Sequence, residues 1–238
     1  MAEGRVQLLS AVGGERGYLA LTSDAAGTRA LRLDGDESVL LSSTETVGEE
    51  GRITLGGAGT DGDGGAELSW SPAGPMLEFE MGTGAARVHG IAASFSGAGG
   101  ALSGPGVLWD LPLAGSALLR TAWAASAKGA LTVLVALRPD GAGEHGEEVV
   151  GAARMLPGAE PYGYAEPLLS TEYDGDGEHV RATLELWPEG EDHPAERGGG
   201  LRLCGGTADG PGGELRAARF RWSIGGAQAV GAYEILRP

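Results

Sequence analysis

The strongest constraint on the fold is an alternation of apolar and polar residues in short segments, each bounded by Gly, Asp or Pro. In residues 76–81, Leu77, Phe79 and Met81 fall on one face, and the glutamates between them fall on the other. A period of two is typical of a β-strand with one buried face. Such segments recur roughly sixteen or seventeen times, while helical periodicity is hard to find. The sequence therefore predicts an all-β fold with little helix.

The turns between these segments favour antiparallel pairing. An Asp-Gly pair is typical of a tight hairpin, because both central residues of a type I′ turn take positive φ. Gly225-Gly226 joins two strongly alternating segments in the same way. Hairpin turns thus explain much of the glycine content, which is 45 of 238 residues. The Asp-Gly pairs that we interpret as hairpin turns begin at Asp34, Asp61, Asp63, Asp174 and Asp176.

The charge balance argues against several classes of partner. The chain has 17 basic and 33 acidic residues, a formal net charge of -16, whereas nucleic acids and anionic membranes are bound by clustered Lys and Arg. A hydrophobic content of 42% still provides for a core. We see neither a signal-peptide pattern nor an apolar run near the ~20 residues of a membrane helix. A cytoplasmic protein without stable membrane insertion is expected, with the lone Cys204 buried in a strand.

Several stretches, mostly in the second half, resemble a known family. Residues 169–177 (LSTEYDGDG) run into LELW at 184–187, and RFRW at 219–222 leads through Gly226 to GAYE at 231–234. Together they resemble the tandem lipocalin-like proteins related to carotenoid 1,2-hydratase (hydroxyneurosporene synthase) and the AttH-like proteins. The resemblance implies two lipocalin-like antiparallel β-barrels packed together. We place the first barrel at residues 1–100 and the second at residues 101–238.

The same resemblance implies an apolar ligand in or between the barrels, because relatives include hydratases and cyclases that act on terpenoids or polyketides. The hydratases carry a Gly/His-rich stretch that ends in Asn-Trp-Gly near the domain junction. The nearest counterpart here is GPGVLWD at residues 104–110, which keeps the glycines and one Trp but has neither the His nor the Asn. The fold is therefore expected without that hydratase signature.

Metal and nucleotide sites are not indicated. The histidines do not pair at metal-ligand spacing, and the Asp-Gly segments have neither the third Asp or Asn nor the final Glu of a calcium loop. No phosphate-binding glycine motif occurs in its required context, and Lys128 is the only lysine. We therefore predict no metal and no cofactor. The histidines are His89, which lies in a strand, His145 and His193, which lie in acidic loops, and His179.

The remaining candidates are ionisable side chains close to aromatic residues. A carboxyl buried against an indole has a raised pKa and can act as a general acid, and an indole face stabilises a cation. The catalytic hypothesis names Asp110, Glu185 and His89. The ligand-binding candidates are Trp109, Trp123, Trp187, Tyr173, Arg120 and Trp222. The alternative for each is structural: the Trp packs the barrel, the acid pairs with an Arg, and His89 is held by a hydrogen bond.

Three functions are weighed. The first is binding of a small apolar molecule, terpenoid or polyketide-like, with cofactor-free cyclisation, isomerisation or hydration by acid–base chemistry as its enzymatic version. The second is a non-catalytic structural or interaction barrel with a filled core. The third is a glycan-binding or glycan-cleaving β-sandwich, which is disfavoured because aromatics make up only 5% of the chain. A continuous cavity of ~300 Å³ or more distinguishes the first from the second. The oligomeric state is not predicted.

Overall fold

Antiparallel β-strands in two large sheets make up the fold. The computed structural model describes residues 4–57, 65–97, 100–143 and 147–238. The first sheet contains β1 (Arg5–Gly13), β2 (Gly17–Asp24), β3 (Gly27–Asp34), β4 (Glu37–Ser43), β5 (Gly51–Gly57), β6 (Ala66–Glu80), β7 (Ala85–Ser96) and β8 (Leu102–Pro112). The second contains β9 (Ser116–Ser126), β10 (Leu131–Pro139), β11 (Val149–Met155), β12 (Tyr162–Tyr164), β13 (Leu168–Tyr173), β14 (His179–Leu186), β15 (Glu196–Gly210), β16 (Gly213–Ile224) and β17 (Ala227–Arg237).

The first sheet is a closed ring. Each strand pairs with its sequence neighbour, and β1 also pairs with β8, so that Val6 lies opposite Leu111 and Ser10 opposite Val107. Strand β6 joins two segments that the sequence shows as separate, with an irregularity between Pro72 and Met76. The ring is closed, and its shortest pairing is between β4 and β5, where Leu41 lies opposite Gly57 and Ser42 opposite Gly56.

The second sheet curves into a half-barrel. Its nine strands run in the order β12-β11-β10-β9-β17-β16-β15-β14-β13, so β12 and β13 are the two edges. Near these edges, Ala165 N donates to Trp187 O at 3.0 Å. The predicted all-β fold with two lipocalin-like barrels packed together is confirmed, the second being a half-barrel.

The change from one sheet to the other falls between Pro112 and Ser116, because β8 pairs with both β1 and β7 and thus belongs to the ring. The domain division at residue 100 stays a prediction, since membership of a sheet does not show which part folds as a unit. Within the described residues, no helix is long and apolar enough to span a membrane.

Three apolar clusters form the core. One fills the ring interior with side chains such as Leu9, Leu21 and Trp70. A second lies between the outside of the ring and one face of the second sheet, and it contains Trp109 and Trp123. The third covers the other, concave face of the second sheet, around Phe220 and Trp222. Strand β9 is buried along nearly its whole length because both of its faces are covered.

Glycines with positive φ occur in several hairpin turns, but the predicted Asp-Gly pairs that the structure describes are not the central residues of these turns. Asp34 pairs with Glu37, so the turn residues are Gly35 and Asp36, and in the Asp174 turn the positive φ belongs to Gly177. Gly35 has a φ of 64°, and Gly225 and Gly226 have φ values of 55° and 80°. In the Asp174 turn, the side-chain Oδ1 accepts hydrogen bonds from the Asp176 and Glu178 backbone N–H groups at 3.0 and 2.9 Å. The Asp-Gly pairs at Asp61 and Asp63 lie outside the described residues.

Candidate functional site

A cavity of about 400 Å³ opens on the concave side of the second sheet, between β11 and β13. Its apolar lining comes from Val150, Leu168, Leu169 and Tyr173. Its polar lining comes from Arg120, Glu148, Ser170 and Thr171. The sequence folds this way because β13 alternates: Leu169 packs on the concave core, while Ser170 is exposed. About half of the lining is therefore apolar, and a concave site that combines apolar walls with placed polar groups can hold a small molecule.

The polar groups of the cavity are organised by one arginine. Arg120 Nη1 donates to Thr171 Oγ1 at 3.2 Å and to Tyr233 Oη at 3.3 Å, and Nη2 donates to Glu148 Oε2. Burial acts to lower the pKa of Arg120, but Tyr233 and Glu148 raise it, so the guanidinium stays charged. Arg120 therefore bridges β11 and β13 across the open side of the half-barrel.

The hydroxyls beside Arg120 have a defined order. Thr171 Oγ1 and Tyr233 Oη are 2.7 Å apart, so one donates to the other. Tyr233 is fully buried, and burial raises the pKa of its phenol, so the phenol keeps its proton. Thr171, in contrast, lines the cavity. We therefore assign Tyr233 as the donor to Thr171, which leaves the Thr171 hydroxyl hydrogen free to point into the cavity.

Behind these groups lies a neutral histidine. His179 is 1% exposed, and its Nε2 is 3.0 Å from the Tyr233 carbonyl oxygen. The carbonyl only accepts, so Nε2 carries the hydrogen. Burial lowers the pKa of His179 to about 4. The ring stacks on Phe220 with centroids 5.8 Å apart and meets Tyr233 edge-on at 4.8 Å. His179 thus holds Tyr233 in place and does not itself reach the cavity wall.

Three predicted ligand-binding residues lie at or below this cavity. Arg120 and Tyr173 line it. Trp222 is buried deeper in the same concave core, where it stacks on Phe220 at 5.3 Å. Phe220 in turn meets Tyr233 edge-on at 5.8 Å. The structure therefore brings Arg120 and Tyr173 together and places Trp222 as their support.

The other three tryptophans predicted to bind ligand lie elsewhere. Trp123 is on the opposite face of β9 from Arg120, and its Nε1 donates to Ser10 Oγ at 2.8 Å. Trp109 packs between the two sheets, with its ring 6.4 Å from that of Phe79. Trp187 is half-buried just after β14. Their surroundings are those of packing residues.

The three predicted catalytic residues are split between the two units. His89 and Asp110 line a small cavity of about 100 Å³ in the ring, together with Gln7, Glu49 and Arg87. Asp110 also accepts a hydrogen bond from Arg5 Nε at 2.8 Å. Glu185 lies in the second sheet and pairs with Arg197 at 3.2 Å. Both acids therefore have the arginine partners that the structural alternative predicts, and their catalytic roles stay a prediction.

Sequence reasoning missed Glu148, Thr171, Tyr233 and His179 as members of a site. Nothing local marks the first two, because they become neighbours of Arg120 only when distant strands pair. Glu234 was also missed, although a signal exists: it is an acid within the apolar run GAYEIL of β17. It lies 1% exposed between the sheets. Of the other histidines, His193 is exposed, and His145 lies outside the described residues.

Comparison with known proteins gives structural relatives only. No family model matches the chain, and no curated protein matches it. Two solved structures share the fold over 98% of this chain. One is a candidate AttH protein of Nitrosomonas europaea, with a TM-score of 0.62, 11% identity and 92% of its own length covered. The other is kievitone hydratase of Nectria haematococca, with a TM-score of 0.61, 11% identity and 89% covered.

A third structure, CghA with Sch210972, aligns at a TM-score of 0.46 and 10% identity, over 98% of this chain and 88% of its own. The expected resemblance to the lipocalin-like hydratase and AttH proteins is confirmed at the level of the fold. At 10–11% identity, the activity of any of these proteins is not carried over.

Proposed function

We propose that the chain binds a small, mostly apolar molecule, terpenoid or polyketide-like, in the cavity between β11 and β13. The observation that carries this proposal is a cavity of about 400 Å³ with the buried Arg120 at its polar end. Ligand cavities of small molecules begin at ~300 Å³. Apolar side chains of β11 and β13 would cover the body of the ligand, and the hydroxyl of Thr171 would orient its polar group.

The same geometry supports an enzymatic version of the proposal. The Thr171 hydroxyl accepts from the Arg120 cation, which makes its own hydrogen a better donor. A hydrogen bond from Thr171 to a ligand carbonyl withdraws electron density from the adjacent carbon. Cyclisation, isomerisation and hydration share that activation. The likeness to kievitone hydratase in fold is consistent with this chemistry but supplies no substrate.

The structural alternative is favoured for the ring alone. Its interior is packed with Leu, Ile, Phe and Trp side chains, as a filled barrel would be. The second sheet departs from that description, because its concave side holds both an apolar core and an open cavity with a charged end. Binding is therefore assigned to the second sheet and support to the ring.

A first test is native mass spectrometry of the purified chain, to look for a co-purified small molecule. We expect a bound species that leaves when the protein is denatured. The affinity of the chain for that small molecule is then measured in two variants, each with a tryptophan introduced on a different side of β13. Leu169→Trp places an indole on the cavity side of β13, whereas Glu172→Trp places it on the opposite, exposed side, at a residue that does not line the cavity.

Leu169→Trp is expected to weaken binding about tenfold or more, because the indole occupies the ligand volume. Glu172→Trp is expected to bind like the parent chain. Circular dichroism confirms that both variants are folded. If Leu169→Trp is folded and binds with unchanged affinity, the cavity is not the site.

A further inference from the structure

We propose that this cavity selects neutral ligands that carry an oxygen acceptor and rejects carboxylates, with Glu148 as the residue that sets the selection. The inference rests on the proposed function, because it concerns the ligand of the same cavity. It goes further by naming the chemical class of the polar group that the cavity accepts.

The first argument is charge. Arg120 is the cation at the cavity, but the carboxylate of Glu148 is bound to it. Their side chains are only 10% and 5% exposed. Two opposite charges in contact sum to zero, and little solvent screens the carboxylate from a ligand nearby. A ligand carboxylate would thus meet a cation whose charge Glu148 already balances, and the pair would give it little net attraction.

The second argument is that the Nη donors of Arg120 are already engaged within the protein. Arg120 Nη1 donates to the Thr171 and Tyr233 hydroxyl oxygens, which lie 2.7 Å apart, and Nη2 donates to Glu148. Arg120 Nε is buried and has no hydrogen-bond partner among the described residues. Because Nε is buried and Nη2 is bound to Glu148, the fork of parallel N–H groups that recognises a carboxylate is not open to a ligand. The neutral donors that line the cavity are hydroxyls, among them that of Thr171. A hydroxyl donor matches a ketone, ether or alcohol oxygen.

The third argument is the cost of dehydration. A carboxylate gives up strong hydration on entering a half-apolar cavity and needs a compensating cation. A neutral carbonyl loses a weaker hydration, and one hydrogen bond in the cavity compensates for that loss. The net charge of -16 on the whole chain works against an anionic ligand in the same direction.

The test uses two probes with the same ring system, 2-acetylnaphthalene and 2-naphthoate, titrated into the full chain by calorimetry at neutral pH. The parent chain is expected to bind the ketone about tenfold or more tightly than the carboxylate. Glu148→Gln frees the Arg120 charge and should strengthen naphthoate binding about tenfold, with little change for the ketone. Glu147→Gln is the matched control, since Glu147 is an exposed neighbour, and it should leave the ratio unchanged.

The outcomes separate the two proposals. If neither probe binds the parent chain, the proposed function fails and the inference with it. If both probes bind equally well, the cavity is a site but the inference is overturned. Should Glu148→Gln fail to fold, the ratio of the two affinities in the parent chain alone decides whether the cavity prefers the ketone to the carboxylate. If the preference for the ketone over the carboxylate falls equally in Glu148→Gln and Glu147→Gln, the overall charge of the chain explains it. That result would also overturn the role of Glu148.

Discussion

Glu234 ties the ring to the second sheet through a single carboxyl group. Its Oε1 accepts from the Tyr18 hydroxyl of β2 at 2.9 Å, and its Oε2 accepts from the Thr121 hydroxyl of β9 at 2.9 Å. The side chain is 1% exposed, and burial raises its pKa to about 7, although the hydrogen bonds act to lower it. Glu234 is therefore a carboxyl whose protonation changes within the neutral range.

The sign of the resulting pH effect is fixed by linkage. The folded chain holds the Glu234 proton up to about pH 7, whereas the unfolded chain loses it near its ordinary value of about 4.3. The contribution of Glu234 to stability is thus complete below that lower value and is lost as the pH rises towards 7. We expect the free energy of unfolding of the parent chain to fall relative to Glu234→Gln across this window. The slope should approach about 1.4 kcal/mol per pH unit.

Urea unfolding of both proteins at several pH values measures this difference. The comparison with Glu234→Gln is needed because His179 acts in the opposite direction. Its folded pKa of about 4 lies below the ordinary value of 6.5, so its contribution to stability is lost as the pH falls between these values. Both proteins contain His179, so its effect cancels. A difference that does not vary from pH 4.5 to 7 would show that Glu234 titrates normally.

At the level of single residues, composition and local pattern predicted which types of side chain could form a site, but not which of them are neighbours in the fold. The opposite orientation of Arg120 and Trp123 follows from strand alternation and is confirmed. The grouping of Arg120 with Glu148 and Thr171 depends on the order of strands in the sheet, which no local pattern states. The tryptophans attracted attention as ligand binders, yet Trp109 and Trp123 pack between sheets because large apolar side chains gain most from burial.

At the level of strands, local alternation predicted most of what is observed. Phe220, Trp222 and Ile224 all face the concave core, as their spacing predicts. The same alternation places Arg219 on the face of the exposed Arg221, yet Arg219 is 3% exposed because the ring covers that part of the sheet. Closure of the ring through β1 and β8 joins segments about a hundred residues apart, and such a pairing leaves no trace in a short window of sequence.

Gly231 marks where β17 and β9 approach most closely. A Cβ at this position would meet the carbonyl group of Trp123, which belongs to the backbone and has little room to move. We expect Gly231→Ala to lower the free energy of unfolding by about 1–3 kcal/mol through strain in this strand pair. Urea unfolding at one pH measures the loss.

Gly163→Ala is the control for Gly231→Ala. Gly163 also lies in a strand, but a Cβ there meets nothing within 4 Å. Its effect is expected to stay within about 0.5 kcal/mol. Equal effects of the two variants would mean that loss of glycine flexibility, and not close approach, decides the result.

For the whole molecule, the largest of the three apolar clusters of the described residues lies between the two sheets. Strands β9, β16 and β17 of the second sheet bury one face against the ring. Arg219 adds polar contacts, since its Nη1 donates to the Gly17 carbonyl at 2.9 Å and its Nη2 to the Gly14 carbonyl at 2.8 Å. These carbonyls lie at the end of the β1–β2 hairpin, Gly14 in the turn and Gly17 at the start of β2. The arrangement couples the ring to the sheet that holds the cavity.

We therefore expect the two sheets to unfold in a single transition, because removing the ring would expose the apolar face of the second sheet to water. Pulsed hydrogen exchange with mass spectrometry in increasing urea follows peptides from β2–β3 and from β15–β16 separately. Their midpoints should coincide. Arg219→Met leaves three carbonyls at the end of the β1–β2 hairpin without this donor and should lower both urea midpoints together. Arg221→Met is the control, because Arg221 is an exposed neighbour on the same strand face, and it should lower neither midpoint. Separate midpoints in the parent chain would instead support two independent domains, and the β8 peptide would then show whether residue 100 or the sheet boundary at Pro112 divides them.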